Sequence, residues 1–219
     1  MNGGFAVLLD GRTLRGPKGA PTVLPNTALA ELVAQEWEDQ GATLELASMA
    51  GTRLANTALE SVPLAREAIA RQVADYAGTE LLCYRAEDPE GLVARQTERW
   101  DPVLARAENE LGLAFVRVAG IVHQPQPPDT LAAVEALALA LDDFALTGLA
   151  FGVPLFGSAV LSIGLMRGWF GPDEAYDLSR LDEAWQEEKW GIDDEAAERT
   201  ARLRGEAHLL GRWYAALNS

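Results

Sequence analysis

Between Gln124 and Asp129 the chain reads Gln-Pro-Gln-Pro-Pro-Asp. Each proline lacks a backbone donor and holds φ near −65°, so neither a helix nor a strand ladder runs through this stretch. It divides the sequence by pattern. Upstream, strand-like runs alternate with helical ones; downstream, every run is helical. The expected class is therefore α+β. Residues 1–123 are expected to form an N-terminal α/β domain with a small mixed or antiparallel sheet. Residues 124–129 would be a semi-rigid linker, and residues 130–219 an all-α domain.

The upstream part opens with a strand, Phe5 to Leu9, and Asp10-Gly11 follows as a tight-turn dipeptide suited to positive φ. Arg12 to Arg15 returns, and Thr22 to Leu24 adds a third short strand. Asn26 is placed to cap a helix carrying Leu29, Leu32, Val33 and Trp37, which Gly41 stops. Thr43 to Leu46 alternates weakly and is expected as an edge strand. Thr52 is a possible helix cap. Arg53, Asn56 and Thr57 lie within one turn of each other, either bonding backbone groups at a domain junction or forming a binding site. Pro63 suits the first turn of a helix over Leu64 to Tyr76. Glu80 to Arg85 and Ala114 to Val118 read as strands around a long helix, Leu92 to Leu111. Within that helix Asp101-Pro102 marks a kink or a junction. Together these strands suggest one mixed sheet with helices on a face.

Downstream, helices are expected over Thr130–Leu141, Phe144–Phe151, Leu155–Arg167, Asp173–Trp190 and Glu195–Leu217. From Ala145 to Met166 no residue is charged, a length that reaches membrane-spanning range. Gly148, Gly152, Pro154 and Gly157 interrupt it, so a broken pair of core helices is expected instead.

Charge narrows the partners. With 33 acids against 18 bases, the formal charge is −15. Phosphate backbones and anionic lipid surfaces repel such a chain, so neither nucleic acid nor membrane is an expected partner, and a basic protein surface fits better. Apolar residues make up 48% of the chain, enough for a substantial core. The single cysteine, Cys83, lies in the run Leu81-Leu82-Cys83-Tyr84 and is expected as a buried small hydrophobe. One cysteine forms no intramolecular disulfide, which fits a reducing compartment. The start carries no charged leader-like region.

The densest chemistry lies in Ser179–Gly191. At 100° per residue Leu178, Leu181 and Trp185 share one stripe, which predicts a buried Trp185. Asp182, Gln186 and Lys189 flank that stripe; Glu183 and Trp190 share a further line. Glu183 and Glu187 oppose one another at i and i+4. Asp182 and Glu183 thus read either as a solvated acidic face or as a functional pair. Signatures of catalysis are missing elsewhere. There is no phosphate-cradling loop, no dinucleotide fingerprint and no nucleophile elbow. His123 and His208 have no ligand at metal spacing. No metal, cofactor or catalytic residue is expected. An acid–base enzyme built on the Asp182 region is the alternative, as is an interaction module for another partner.

Six stretches occur in a telling order: Phe5–Leu14, Glu36-Trp37, Thr52–Ala58, Leu82–Ala86, Trp100-Asp101-Pro102, and the Leu-(Asp/Glu)-x-x-aromatic-Gln-x-x-x-Trp-Gly pattern ending at Gly191. Together they resemble the assembly chaperones for the α subunit of F1-ATPase, found in mitochondria and some bacteria. The resemblance implies a non-enzymatic monomer that shields the free α subunit before hexamer assembly. It implies a bacterial cytoplasmic setting, since no targeting leader is seen, with the mitochondrial matrix as the eukaryotic location. Carried over, the motif's functional acid maps to Asp182 or Glu183, with Gln186 and Trp190 completing a partner-binding set.

Overall fold

The computed structural model describes residues 3–120, 122–191 and 194–219. The N-terminal strands are very short: β1 (Phe5–Ala6), β2 (Leu8–Leu9), β3 (Arg12–Thr13) and β4 (Val23–Leu24). Asp10 and Gly11 both take positive φ, 50° and 76°, so the β2–β3 hairpin closes through a turn whose twist matches its strands. β1 pairs antiparallel with β4. Val7 stands between β1 and β2, accepting from the Leu14 amide and donating to the Thr22 carbonyl. The chain therefore changes partners at Val7. Further on, β5 (Tyr84–Arg85) and β6 (Val118–Ala119) pair in parallel. In place of one mixed sheet, the described residues form three two-stranded ladders.

Helix α1 (Thr27–Glu38) begins where Asn26 accepts from the Leu29 amide at 2.9 Å. It ends at Glu38, ahead of Gly41. The expected strand over Thr43–Leu46 does not form. Gln40 accepts from the Glu45 amide, and a 3-10 turn follows over Leu46–Ser48, so local bonds replace a ladder. Helix α2 (Ala50–Glu60) starts before Thr52, and its cap comes from another helix. Glu36 of α1 accepts from the amides of Gly51 and Thr52 and from the Thr52 hydroxyl. Pro63 lies in a separate 3-10 turn, Val62–Leu64, before α3 (Arg66–Ala77). The run Glu80–Arg85 is likewise mostly a 3-10 turn (Leu81–Cys83) rather than a strand. Cys83 is fully buried as expected, and burial pushes its thiol up to about 12.

Helix α4 (Glu90–Leu111) passes unbroken through Pro102 and stops at Gly112. Before the next helix, the buried Gln126 side chain bonds both backbone groups of Val116, pinning the proline-rich segment to the body. Then come α5 (Pro128–Ala140), α6 (Asp143–Phe156), α7 (Ala159–Met166), α8 (Pro172–Ser179), α9 (Leu181–Trp190) and α10 (Asp194–Leu217). Among the described residues no strand follows Pro128. The charge-free run is indeed a pair of core helices, but the break falls at Gly157 (φ 62°), and Pro154 stays inside α6. Ser158 caps α7. The stretch expected as one helix, Asp173–Trp190, is two, divided at Arg180.

One hydrophobic cluster runs from Val7 to Ala216. α6 and α7 are apolar on nearly every side and lie within it, as helices without a polar face must. A Cβ at Gly148 would collide with Tyr214 of α10, and one at Gly152 with Ser162 of α7 and Leu210 of α10, so these two positions set how closely α6 packs on both helices. No described helix is long and apolar enough to cross a membrane.

Candidate functional site

Helix α9 is held at the edge of the body by α4. The tie begins with Trp100 of α4, which is 1% exposed and donates its indole N–H to the Leu178 carbonyl at 2.9 Å. Asp101, the next residue, accepts from Arg85 at 2.7 Å and from Arg117 at 3.0 Å, joining α4 to β5 and to the residue that precedes β6. Burial lowers the pKa of Arg85, and Asp101 opposes that shift. Gln96, one turn earlier, is also 1% exposed. It accepts from the Ala86 amide and donates to the Asp182 carboxylate at 2.7 Å. Asp182 is thereby half-buried and bonded inward. Glu183 turns the other way and pairs with Arg180 of its own first turn at 2.7 Å.

Trp185 does not enter the core. The helix boundary at Arg180 removes the continuous stripe that Leu178, Leu181 and Trp185 would have shared. Leu178 and Leu181 are buried, but Trp185 is only half-buried. Its ring lies against Gly91, where a Cβ would come within 2.8 Å. The Arg95 guanidinium lies 4.6 Å from its centroid and the Lys189 ammonium 5.0 Å, both cation–π distances. Arg95 also grips Glu188 through two bonds, 2.6 and 2.9 Å, which holds the Glu188 carboxyl below its usual range.

Beyond Trp185 an open groove of about 700 Å³ is lined by Asp88, Pro89, Leu92, Trp185, Gln186, Lys189 and Trp190. Gln186 and Trp190 therefore share one surface, while Asp182 and Glu183 are not among its lining residues. Trp190 is 79% exposed. The arrangement offers apolar aromatic area bordered by one acid, Asp88, and one base, Lys189. It offers no nucleophile–base pair, and among the described residues no group of three or more His, Cys, Asp and Glu is placed to hold a metal. His123 bonds the Tyr84 hydroxyl, and His208 contacts Asp173; neither faces the groove.

Gln96 and Arg95 were not among the sequence candidates. Gln96 had a readable signal: it interrupts the apolar line Leu92–Trp100 at helical spacing, and a polar residue there needs partners. Arg95 had none, because its role depends on where α9 packs.

Known proteins resemble this chain over most of its length. Residues 1–108 match the family described as ATP12 chaperone protein. Atp12 from the bacterium Paracoccus denitrificans has a crystal structure that superposes with a TM-score of 0.92 at 39% identity, covering 99% of this chain and 93% of that one. A mutant of the same protein matches with the same score and identity, covering 92% of that chain. The mitochondrial protein atp12 of Schizosaccharomyces pombe is 27% identical over 210 residues, spanning 90% of this chain and 72% of its own.

Proposed function

The chain belongs to the ATP12 chaperone family, and on that premise we propose that it is an assembly chaperone for ATP synthase, holding the unassembled F1 α subunit until the hexamer forms. The observation that supports a contact surface on α9 is Trp190. It is the one tryptophan of six left 79% exposed, and it stands beside a groove rather than on a flat face. Large exposed aromatics next to concave surface are typical anchors of protein contacts. Gln186 extends the same surface. Asp182 and Glu183 contribute through the acidic character of the helix, with Asp182 also fixing its position through Gln96. The role needs no chemical step, and the protein acts as a monomer in the bacterial cytoplasm.

The test is suppression of α-subunit aggregation after dilution from denaturant. Trp190→Ala is expected to leave the melting temperature unchanged, because so exposed a ring adds little to the fold. It is expected to weaken α-subunit binding by roughly 30-fold or more, the effect of losing a typical anchor. Asp182→Asn with Glu183→Gln keeps an acceptor for Gln96 and is expected to weaken protection less. If Trp190→Ala protects as well as the parent, the α9 face is not the contact. If the parent protects no better than an unrelated acidic protein, the chaperone role fails.

A further inference from the structure

Gln96 stands where a core side chain is expected. It falls on the buried line Leu92, Gln96, Trp100 of α4. A polar group there costs stability unless it is bonded, a cost that an apolar residue would avoid. Gln96 is bonded at both ends, its oxygen to the Ala86 amide and its nitrogen to Asp182. Its backbone is held as well, since Arg85 donates to the Gln96 carbonyl at 2.5 Å. The Ala86 and Arg85 bonds fix this side chain without any help from α9.

Contacts between α4 and the α8–α9 segment recur at four-residue steps on both sides. Trp100 bonds the Leu178 carbonyl, Gln96 bonds Asp182, and Leu92 and Gln186 both line the groove. Each step is about one helical turn. The Gln96–Asp182 bond is therefore the last tie before the groove opens. One wall of that groove is Asp88, Pro89 and Leu92; the other is Trp185, Gln186, Lys189 and Trp190. Its width follows from how α9 lies on α4.

Little else sets that placement. α9 buries one residue, Leu181. Its pair with Arg95 is solvent-exposed, the Glu188 side chain at 52%, and exposed ion pairs contribute little. The bond from Gln96 comes from a buried donor to a charged acceptor, a stronger class of contact. Asp182 points inward through it and does not line the groove. We infer that Gln96 is a positioning residue for the Trp190 surface. Of the two contributions of Asp182, this bond is the one that client binding requires. The inference rests on the chaperone reading, since the client is the F1 α subunit.

The two residues can exchange roles, which gives the test. With Gln96→Glu and Asp182→Asn together, the carboxylate on α4 accepts from Ala86 and from the amide on α9. The contact survives with its direction reversed, and the charge leaves α9. Gln96→Glu alone sets two carboxylates against each other, whereas Asp182→Asn alone keeps an acceptor for Gln96. Two readouts are taken on the full chain: binding of refolded α subunit, and hydrogen exchange of amides 185–190 in the free protein. Gln96→Glu is expected to weaken binding at least about 10-fold, the scale of one lost bond to a charged group, and to speed that exchange. Asp182→Asn and the exchanged pair are expected to bind within about threefold of the parent and to exchange like it. If those two bind at least about 10-fold more weakly than the parent, the charge of Asp182 itself meets the client and the inference is overturned. That comparison stands even if Gln96→Glu alone does not fold. If Gln96→Glu binds and exchanges like the parent, Gln96 positions nothing, and the inference fails while the chaperone role stands. If the parent does not bind the α subunit, the role itself fails, and the exchange rates alone decide whether Gln96 positions α9.

Discussion

Glu80 carries its carboxylate at zero exposure against the start of α7, where it accepts from the Ser158 hydroxyl and from the Val160 amide. Ser158 in turn caps Leu161. A residue that follows α3 thus secures a helix 78 positions later. Burial raises its pKa from 4.5 to about 7, against the opposing effect of these hydrogen bonds. Because the folded pKa lies above the unfolded one, the native state binds more protons between those values. This group's contribution is then fullest below about pH 4.5 and declines as pH rises to about 7. The change amounts to about 3 kcal/mol. Glu80→Gln is expected to flatten that decline. Urea unfolding of parent and variant at steps from about pH 5 to about pH 8 should show a stability difference that grows in the variant's favour; parallel curves would sink the assignment. Nothing in the sequence marked Glu80. It opens an apolar run, and an acid there reads as the solvated end of a strand until α7 is seen lying over it.

At the scale of elements, the joint between α8 and α9 explains both a success and a failure of sequence reading. Helices with local punctuation were legible. Asn26 starts α1 and Gly112 stops α4, whereas the break expected between Phe151 and Leu155 falls at Gly157. The break at Arg180 carries no glycine or proline. The Trp100 indole takes the Leu178 carbonyl, the acceptor that a continuous helix would have given to the Asp182 amide. A tertiary bond ends the helix, so periodicity alone ran through it and placed Trp185 in the core. The same reasoning missed that Asp182 faces Gln96; Gln186 and Trp190 lie exposed along the groove. Trp100→Ala is expected to cost about 3–5 kcal/mol, as for a buried aromatic, and Trp185→Ala about half as much. Chemical denaturation that ranked the two equally would count against a peripheral Trp185.

For the whole molecule, the short strands matter less than the helices that enclose α6 and α7. The two-residue ladders were misjudged as one sheet because alternation in sequence says nothing about which strand is the neighbour. Closure depends on α1 meeting α10. Asn26 does two things there: its oxygen caps Leu29, and its amide nitrogen donates to the Ala216 carbonyl at 2.7 Å. Asn26→Ala is expected to cost about 1–2 kcal/mol through the lost cap and the orphaned carbonyl. Thermal unfolding checks this, with Asn26→Asp, which keeps the cap but not the donor, expected to fall between variant and parent.

That bond joins positions 190 residues apart. On a ribosome adding about 5–20 residues each second, Asn26 is made roughly 10–40 s before Ala216. Through that interval α1 has no last helix to lean on, and the apolar faces that α10 will cover stay open. The nascent chain of this chaperone-family protein has for those seconds an unsheltered surface of its own.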